Sequence, residues 1–198
     1  MKFGSIGMIL ALLIFLAIIV LGGYMLSNQK NRENKTTTIN EDFVGDKIKL
    51  ETNQGDILIG LYSDMSITTE NFKKLTENKI YDGVIFHRVI DGFMIQGGDP
   101  MGTGYGDPSI ESIQDEFTHN GGNLNIRGTI AMANSGPNTG SSQFFINLVD
   151  NSFLNDKHPV FGEVIKGMEI VDKIAKVETN ENDKPLEDVV ILKASLAK

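Results

Sequence analysis

From residue 47 onward, apolar and polar positions alternate in short runs. Ile48, Leu50 and Thr52 alternate, Asn53-Gln54-Gly55-Asp56 supplies turn residues, and Ile57, Ile59 and Leu61 alternate again, which predicts a β-hairpin. The period then lengthens: over residues 66–78, Phe72 and Leu75 share one face of a predicted helix, with Ser66 or Thr68 as its cap. Residues 84–89 alternate like a half-buried strand, Asp91-Gly92 turns, and residues 93–96 return as a second strand before Gly97-Gly98. Residues 101–125 are glycine-rich and read as loop. Further strands are predicted over 129–134, 143–148, 160–164 and 189–194, and a second helix from 167 to about 176 puts Met168, Val171 and Ile174 or Ala175 on one side. Phe144 and Ile146 alternate with Phe145, so two of the three face a core. Several short strands, two helices and no second core predict a single, mainly β domain.

The pattern before residue 47 is different. Residues 3–29 carry no charge and residues 6–26 are almost continuously apolar. At about 1.5 Å per residue this run reaches the roughly 30 Å of a bilayer's hydrocarbon core. Residues 1–28 are therefore read as a transmembrane helix that anchors the protein. A cleaved signal peptide is the alternative, since Lys2 supplies a positive flank, but the run exceeds the usual apolar length and no Ala-x-Ala site follows. Lys2 lies on one side and Lys30, Arg32 and Lys35 on the other, so basic residues do not set the orientation. An anchor ahead of one soluble domain commonly serves as an uncleaved signal, and the domain is expected outside the cytoplasm. Residues 29–46 are polar, with little to bury, and read as a flexible tether. Residues 47–198 are the folded domain.

Composition narrows the chemistry. With 40% hydrophobic and 22% charged residues, the 198-residue chain can bury an ordinary core. It has no cysteine, which excludes disulfides and thiolate zinc sites. Up to residue 40 four basic side chains and one acidic give +3, so the net −8 of the whole chain leaves −11 for the rest. Such an acidic domain is a poor nucleic-acid binder. His87, His119 and His158 are the only histidines and none stands three or four residues from another, so no metal pair is expected. No Gly-x-Ser-x-Gly elbow appears. Gly102-Thr103-Gly104-Tyr105-Gly106 lacks the Lys-Ser/Thr of a phosphate loop and is flanked by Asp99 and Asp107, so turn flexibility is the better account of its glycines.

The densest chemistry runs from Phe86 to Pro100, Phe-His-Arg-Val-Ile-Asp-Gly-Phe-Met-Ile-Gln-Gly-Gly-Asp-Pro. If its strands pair across Asp91-Gly92, Arg88, Phe93, Met94 and Gln96 come together: one guanidinium and one amide bordering an aromatic ring and a thioether. Ala-Met-Ala-Asn-Ser-Gly-Pro-Asn-Thr-Gly-Ser-Ser-Gln-Phe-Phe-Ile at 131–146 and Asn-Asp-Lys-His-Pro-Val-Phe-Gly at 155–162 follow. In this order and spacing the three blocks resemble the cyclophilin family of peptidyl-prolyl cis/trans isomerases, from about residue 47 to the C-terminus. With the N-terminal run, the resemblance points to a membrane-anchored, prokaryotic member.

The resemblance implies a closed eight-stranded antiparallel barrel capped by two α-helices, and a rotamase that assists folding of proline-containing clients. It implies that Arg88 is catalytic and that His87 lies at the edge of the same site. Phe93, Met94, Phe145 and Leu154 match the proline pocket and His158 the histidine lining it. Gln96, Ala133, Asn134 and Gln143 match residues that hold the substrate backbone, while Phe161 packs beneath. Phe153 stands where many members have tryptophan, which removes an indole donor used for cyclosporin. Weaker cyclosporin binding is expected, with isomerisation less affected. No metal, nucleophile or cofactor is needed, because twisting an amide breaks no bond. The alternative is that the same pocket serves a non-catalytic proline-peptide-binding or chaperone module; retention of Arg88 with the whole pocket favours catalysis.

Overall fold

The alternation of the first hairpin becomes β1 (Lys47–Thr52) and β2 (Gly55–Leu61), antiparallel, with Ile48 opposite Ile59 and Leu50 opposite Ile57. All four are fully buried. The structure, a computed structural model, describes residues 43–197, which fall in one compact unit. The anchor expected over 1–28 and the tether up to residue 42 lie outside the described residues. The remaining strands are β3 (Arg88–Ile90), β4 (Met94–Gly97), β5 (Thr129–Met132), β6 (Phe144–Asn147), β7 (Val160–Lys166) and β8 (Ile191–Ala197). They pair in the order β3-β4-β6-β5-β7-β2-β1-β8, always antiparallel.

The expected closed barrel is corrected in one respect. Between the edge strands β3 and β8 no ladder forms among the described residues. An isolated bridge, Ile85 with Val190, spans the seam, and the Phe86 N–H donates to Val189 O at 2.9 Å while the Ile191 N–H donates to Val84 O at 2.8 Å. The sheet is thus a curled half-barrel tied at its edges. The physical reason is that Val84 and Phe86 spend these backbone groups on residues 191 and 189 across the seam, while pairing with β4 begins only at Arg88. The strand predicted over 84–89 is thus reduced to the three residues of β3.

One core fills the concave side. Helix α1 (Ser66–Glu77) packs against β8, and helix α2 (Met168–Ile174) against β2. Phe72 of α1 centres an aromatic cluster, 5.0 Å from Tyr81, 5.4 Å from Phe144 and 5.1 Å from Phe161 between ring centroids. Burying side chains of this size contributes roughly 1.5–3 kcal/mol each.

The start of α1 differs from expectation. Neither Ser66 nor Thr68 caps it; Met65 occupies the cap position and offers no side-chain bond. Instead Glu116, 48 residues downstream and 7% exposed, accepts from the Thr68 N–H at 3.0 Å and the Thr68 hydroxyl at 3.2 Å through Oε2. A carboxylate at a helix N-terminus satisfies an orphan donor and complements the helix dipole. Glu116→Ala leaves those buried donors unpaired and is expected to lower unfolding free energy by about 1–3 kcal/mol, measurable by urea titration. A midpoint unchanged from wild type removes Glu116 as the cap.

Candidate active site

The sheet register builds the site. Arg88 stands opposite Gln96, Gln96 opposite Phe145, Phe145 opposite Ala131, and Ala131 opposite Val160. This row crosses five strands, β3-β4-β6-β5-β7. Neighbours in such a row lie about 4.5–5.5 Å apart and share one face. Residues one step along each strand, Ile95, Phe144, Ile146, Ile130 and Phe161, belong to the main core, as expected for Phe161 and for two of the three residues 144–146. The other face carries a second apolar cluster of Met94, Ala131, Phe145, Leu154 and Val160, with Phe93 and Ala133 against it. Both faces of β6 are therefore buried, which is why Phe-Phe-Ile-Asn shows no polar alternation.

Above this second cluster opens a cavity of about 370 Å³ lined by Arg88, Phe93, Met94, Gln96, Ala133, Asn134, Phe145, Leu154 and His158. All nine were expected from the sequence. His158 stands edge-on to Phe145 at 5.4 Å, and its Nδ1 lies 3.1 Å from Met132 O. A carbonyl only accepts, so Nδ1 carries a proton and donates it to Met132 O. Asn134 donates to Lys157 O at 2.8 Å, tying the two loops of this wall together.

Three expected residues stand elsewhere. Gln143 borders the cavity without lining it: its Oε1 accepts from Gln96 Nε2 at 3.0 Å, and its Nε2 donates to Gly104 O at 3.1 Å. Phe153 is 63% exposed and stacks on Phe93 at 5.9 Å, extending the apolar wall outward. His87 does not line the cavity. Its ring is buried beside Gly104, where an added Cβ would come within 3.4 Å of His87 Cδ2. Neighbours on an extended chain point to opposite sides, so a histidine next to a cavity-facing Arg88 must turn away; the alternation itself carried that signal. Burial lowers the pKa of His87, with Asp99 opposing, and neither ring nitrogen has a hydrogen-bond partner among the described residues.

The supporting residues were not legible in the sequence. The short 3₁₀ helix Ser152–Leu154 carries Leu154 and is held by Asn151, whose amide donates to Phe93 O at 3.0 Å and to Asn147 Oδ1 at 2.8 Å. Asn147 in turn donates to Thr129 Oγ1 at 3.0 Å and to Asn125 Oδ1 at 3.2 Å. Asn123 and Asn125 both donate to His158 O, at 3.0 and 3.2 Å.

The glycine-rich loop is organised by one residue. Asp99 is fully buried; its Oδ1 accepts from the Met101 N–H, and its Oδ2 from the Thr103 and Gly104 N–H groups and the Thr103 hydroxyl, with the Gly106 N–H at 3.3 Å. Gly104 and Gly106 both adopt φ of +84°, a left-handed conformation that lets successive N–H groups converge on one anion. The donors that would cradle a phosphate are taken by the chain's own carboxylate. Burial opposes its charge, yet these hydrogen bonds outweigh it and hold the Asp99 pKa below the usual carboxylate value.

A concave apolar floor with a single guanidinium and a few amides at its rim describes a peptide-binding cleft. A family model described as cyclophilin type peptidyl-prolyl cis-trans isomerase/CLD matches residues 47–196. Peptidyl-prolyl cis-trans isomerase ppi1 of Schizosaccharomyces pombe is 44% identical over 154 residues, 74% of this chain and 96% of that protein. Peptidyl-prolyl cis-trans isomerase-like 1 of Mus musculus is 45% identical over 150 residues, 74% of this chain and 90% of that protein. A crystal structure of a Cryptosporidium parvum cyclophilin type peptidyl-prolyl cis-trans isomerase matches with a TM-score of 0.73 at 32% identity, over 78% of this chain and 99% of that one. Another crystal structure of that protein, in the presence of the dipeptide Ala-Pro, matches with a TM-score of 0.71. The chain belongs to the cyclophilin-type peptidyl-prolyl cis-trans isomerase family, and its activity is cis/trans isomerisation of X-Pro bonds. These relatives are eukaryotic, where the sequence reading expected a prokaryotic member.

Proposed function

We propose that the enzyme turns X-Pro bonds of client polypeptides by non-covalent stabilisation of the twisted amide, with Arg88 as the catalytic group. The observation that carries this reading is the cross-strand row, in which Arg88 stands opposite Gln96 and Gln96 opposite Phe145, all three lining the cavity. Amide resonance imposes a barrier of about 18–20 kcal/mol on the bond. Twisting removes that resonance, so the prolyl nitrogen becomes pyramidal and gains a usable lone pair. A guanidinium donating to it stabilises the twisted state more than the planar one, and only such differential binding accelerates rotation. Phe93, Met94, Phe145 and Leu154 hold the proline ring while the preceding carbonyl swings; Gln96, Asn134 and the backbone at Ala133 hold the peptide chain on either side. His87 serves as packing behind Arg88. Titrating the full chain with an Ala-Pro tetrapeptide should perturb NMR signals of the cavity residues and speed exchange between the peptide's cis and trans signals. Binding without faster exchange overturns the catalytic reading and leaves a peptide-holding module.

The uncharged residues 3–29 support a membrane tether; with that run acting as an uncleaved signal, the domain lies outside the cytoplasm and proline-containing exported chains are its clients. Protease treatment of intact cells tests the side: the reading requires that the domain be cleaved, and a protected domain reverses it. Phe153 supports a weakened cyclosporin site, because a phenyl ring offers no donor. Phe153→Trp is expected to tighten cyclosporin about fivefold, as one hydrogen bond of roughly 1 kcal/mol would, with turnover little changed by comparison. Equal calorimetric affinities for the two proteins remove that account.

A further inference from the structure

Only the Nε–H of the Arg88 guanidinium has a protein partner among the described residues, and that partner comes from far along the chain. Asp183 Oδ2 lies 3.5 Å from Arg88 Nε, within ion-pair distance and at the long limit of a hydrogen bond. The loop that carries Asp183 is built to hold it there. Leu186 N–H donates to Glu178 O at 2.9 Å, Asn180 N–H to Lys184 O at 2.8 Å, and Asp183 N–H to Asn180 O at 3.0 Å. The Asn180 side chain accepts from the Asn182 and Lys184 N–H groups at 2.9 and 3.1 Å. The loop is then docked on the free edge of β3 by the Val89 N–H, which donates to Asp183 O at 2.8 Å. One residue thus braces both the backbone next to Arg88 and the Arg88 side chain. It does so at φ of +62°, a left-handed conformation that aspartate tolerates better than most side chains but that glycine adopts more readily.

From this geometry we infer that Asp183 is a positioning residue for the isomerisation: it engages Nε and so fixes the guanidinium plane with both Nη groups free for the substrate. Arg88 is 43% exposed, and without a partner its long side chain would sweep the mouth of the cleft. A donor already fixed where the prolyl lone pair develops needs no ordering at the moment of rotation. The inference rests on Arg88 being the catalytic group.

Its test is Asp183→Gly in the full chain, since glycine keeps the left-handed backbone and removes only the carboxylate. The expected result is kcat lower by about two- to fivefold, the scale of one half-exposed ion pair, with KM and Tm not lowered. In an Arg88→Ala background the same change has no further effect. Asp183→Asn, which keeps an oxygen acceptor and tolerates the left-handed region, recovers most of the loss. Wild-type kcat in the glycine variant overturns the proposal, as does an equal fractional loss in the Arg88→Ala background or an asparagine variant as slow as glycine. If Arg88→Ala itself turns over like wild type, the catalytic reading of Arg88 fails instead, and the role of Asp183 with it.

Discussion

Arg88→Ala is expected to lower kcat/KM for an X-Pro peptide about 100- to 1,000-fold, the loss typical of removing one fixed transition-state donor. The fold should be left intact. Arg88 sits on an edge strand, 43% exposed and outside both apolar clusters, so truncation opens no core cavity and unpairs no buried partner. Its partner Asp183 is equally exposed and resolvates. Stability within about 0.5 kcal/mol of wild type is therefore expected. Arg88→Lys should fall between the two, since an ammonium keeps the charge but loses the planar fork that reaches substrate and Asp183 together. Line-shape analysis of cis and trans peptide signals, alongside thermal melts, measures both quantities. Turnover within threefold of wild type in a folded Arg88→Ala protein would remove the electrostatic mechanism.

Asp99→Ala has the largest effect expected on stability. It removes the carboxylate on which the N–H groups of Met101, Thr103, Gly104 and Gly106 converge, and leaves these donors without a partner around a buried site. A loss of about 3–4 kcal/mol is expected, near the upper end for a single substitution. Activity should fall as well, through a relay: the loop positions Gly104 O, which accepts from Gln143, which accepts from Gln96 in the cavity wall. Urea midpoints and kcat/KM of the same preparations test both, and a variant as stable as wild type would mean the loop is held by something else. The pH dependence has a definite sign. The folded Asp99 pKa lies below its unfolded value near 3.8, so its contribution is complete above that value and is lost as pH falls through the folded pKa. Asp99→Ala should therefore lose less stability on acidification below pH 3.8 than wild type does.

Much of this was legible in the sequence because it is local. Ile48, Leu50, Ile57 and Ile59 announce the first hairpin by period alone, and Phe72 and Leu75 announce α1. The three motifs, by their order and spacing, point to the family and hold eight of the nine cavity residues, with Leu154 directly before the third, since a site on a sheet face is made of residues that short motifs carry together. His87, expected at the edge of the site, is buried outside the cavity lining, as strand alternation next to Arg88 requires.

What the sequence alone determined, then, is the set of strands, both helices, the isomerase family and the residues that line the cavity: each depends on side-chain period or on residues close in the chain. Only the tertiary structure decided where the sheet stops pairing, that Glu116 rather than Ser66 or Thr68 caps α1, that Asp99 gathers the glycine loop, and that Asp183 braces Arg88. Ile85 and Val190, Glu116 and Thr68, and Asp183 and Arg88 meet across 105, 48 and 95 residues. Such pairings depend on how the sheet curls and where each loop lands, and no local period or spacing in the chain encodes them.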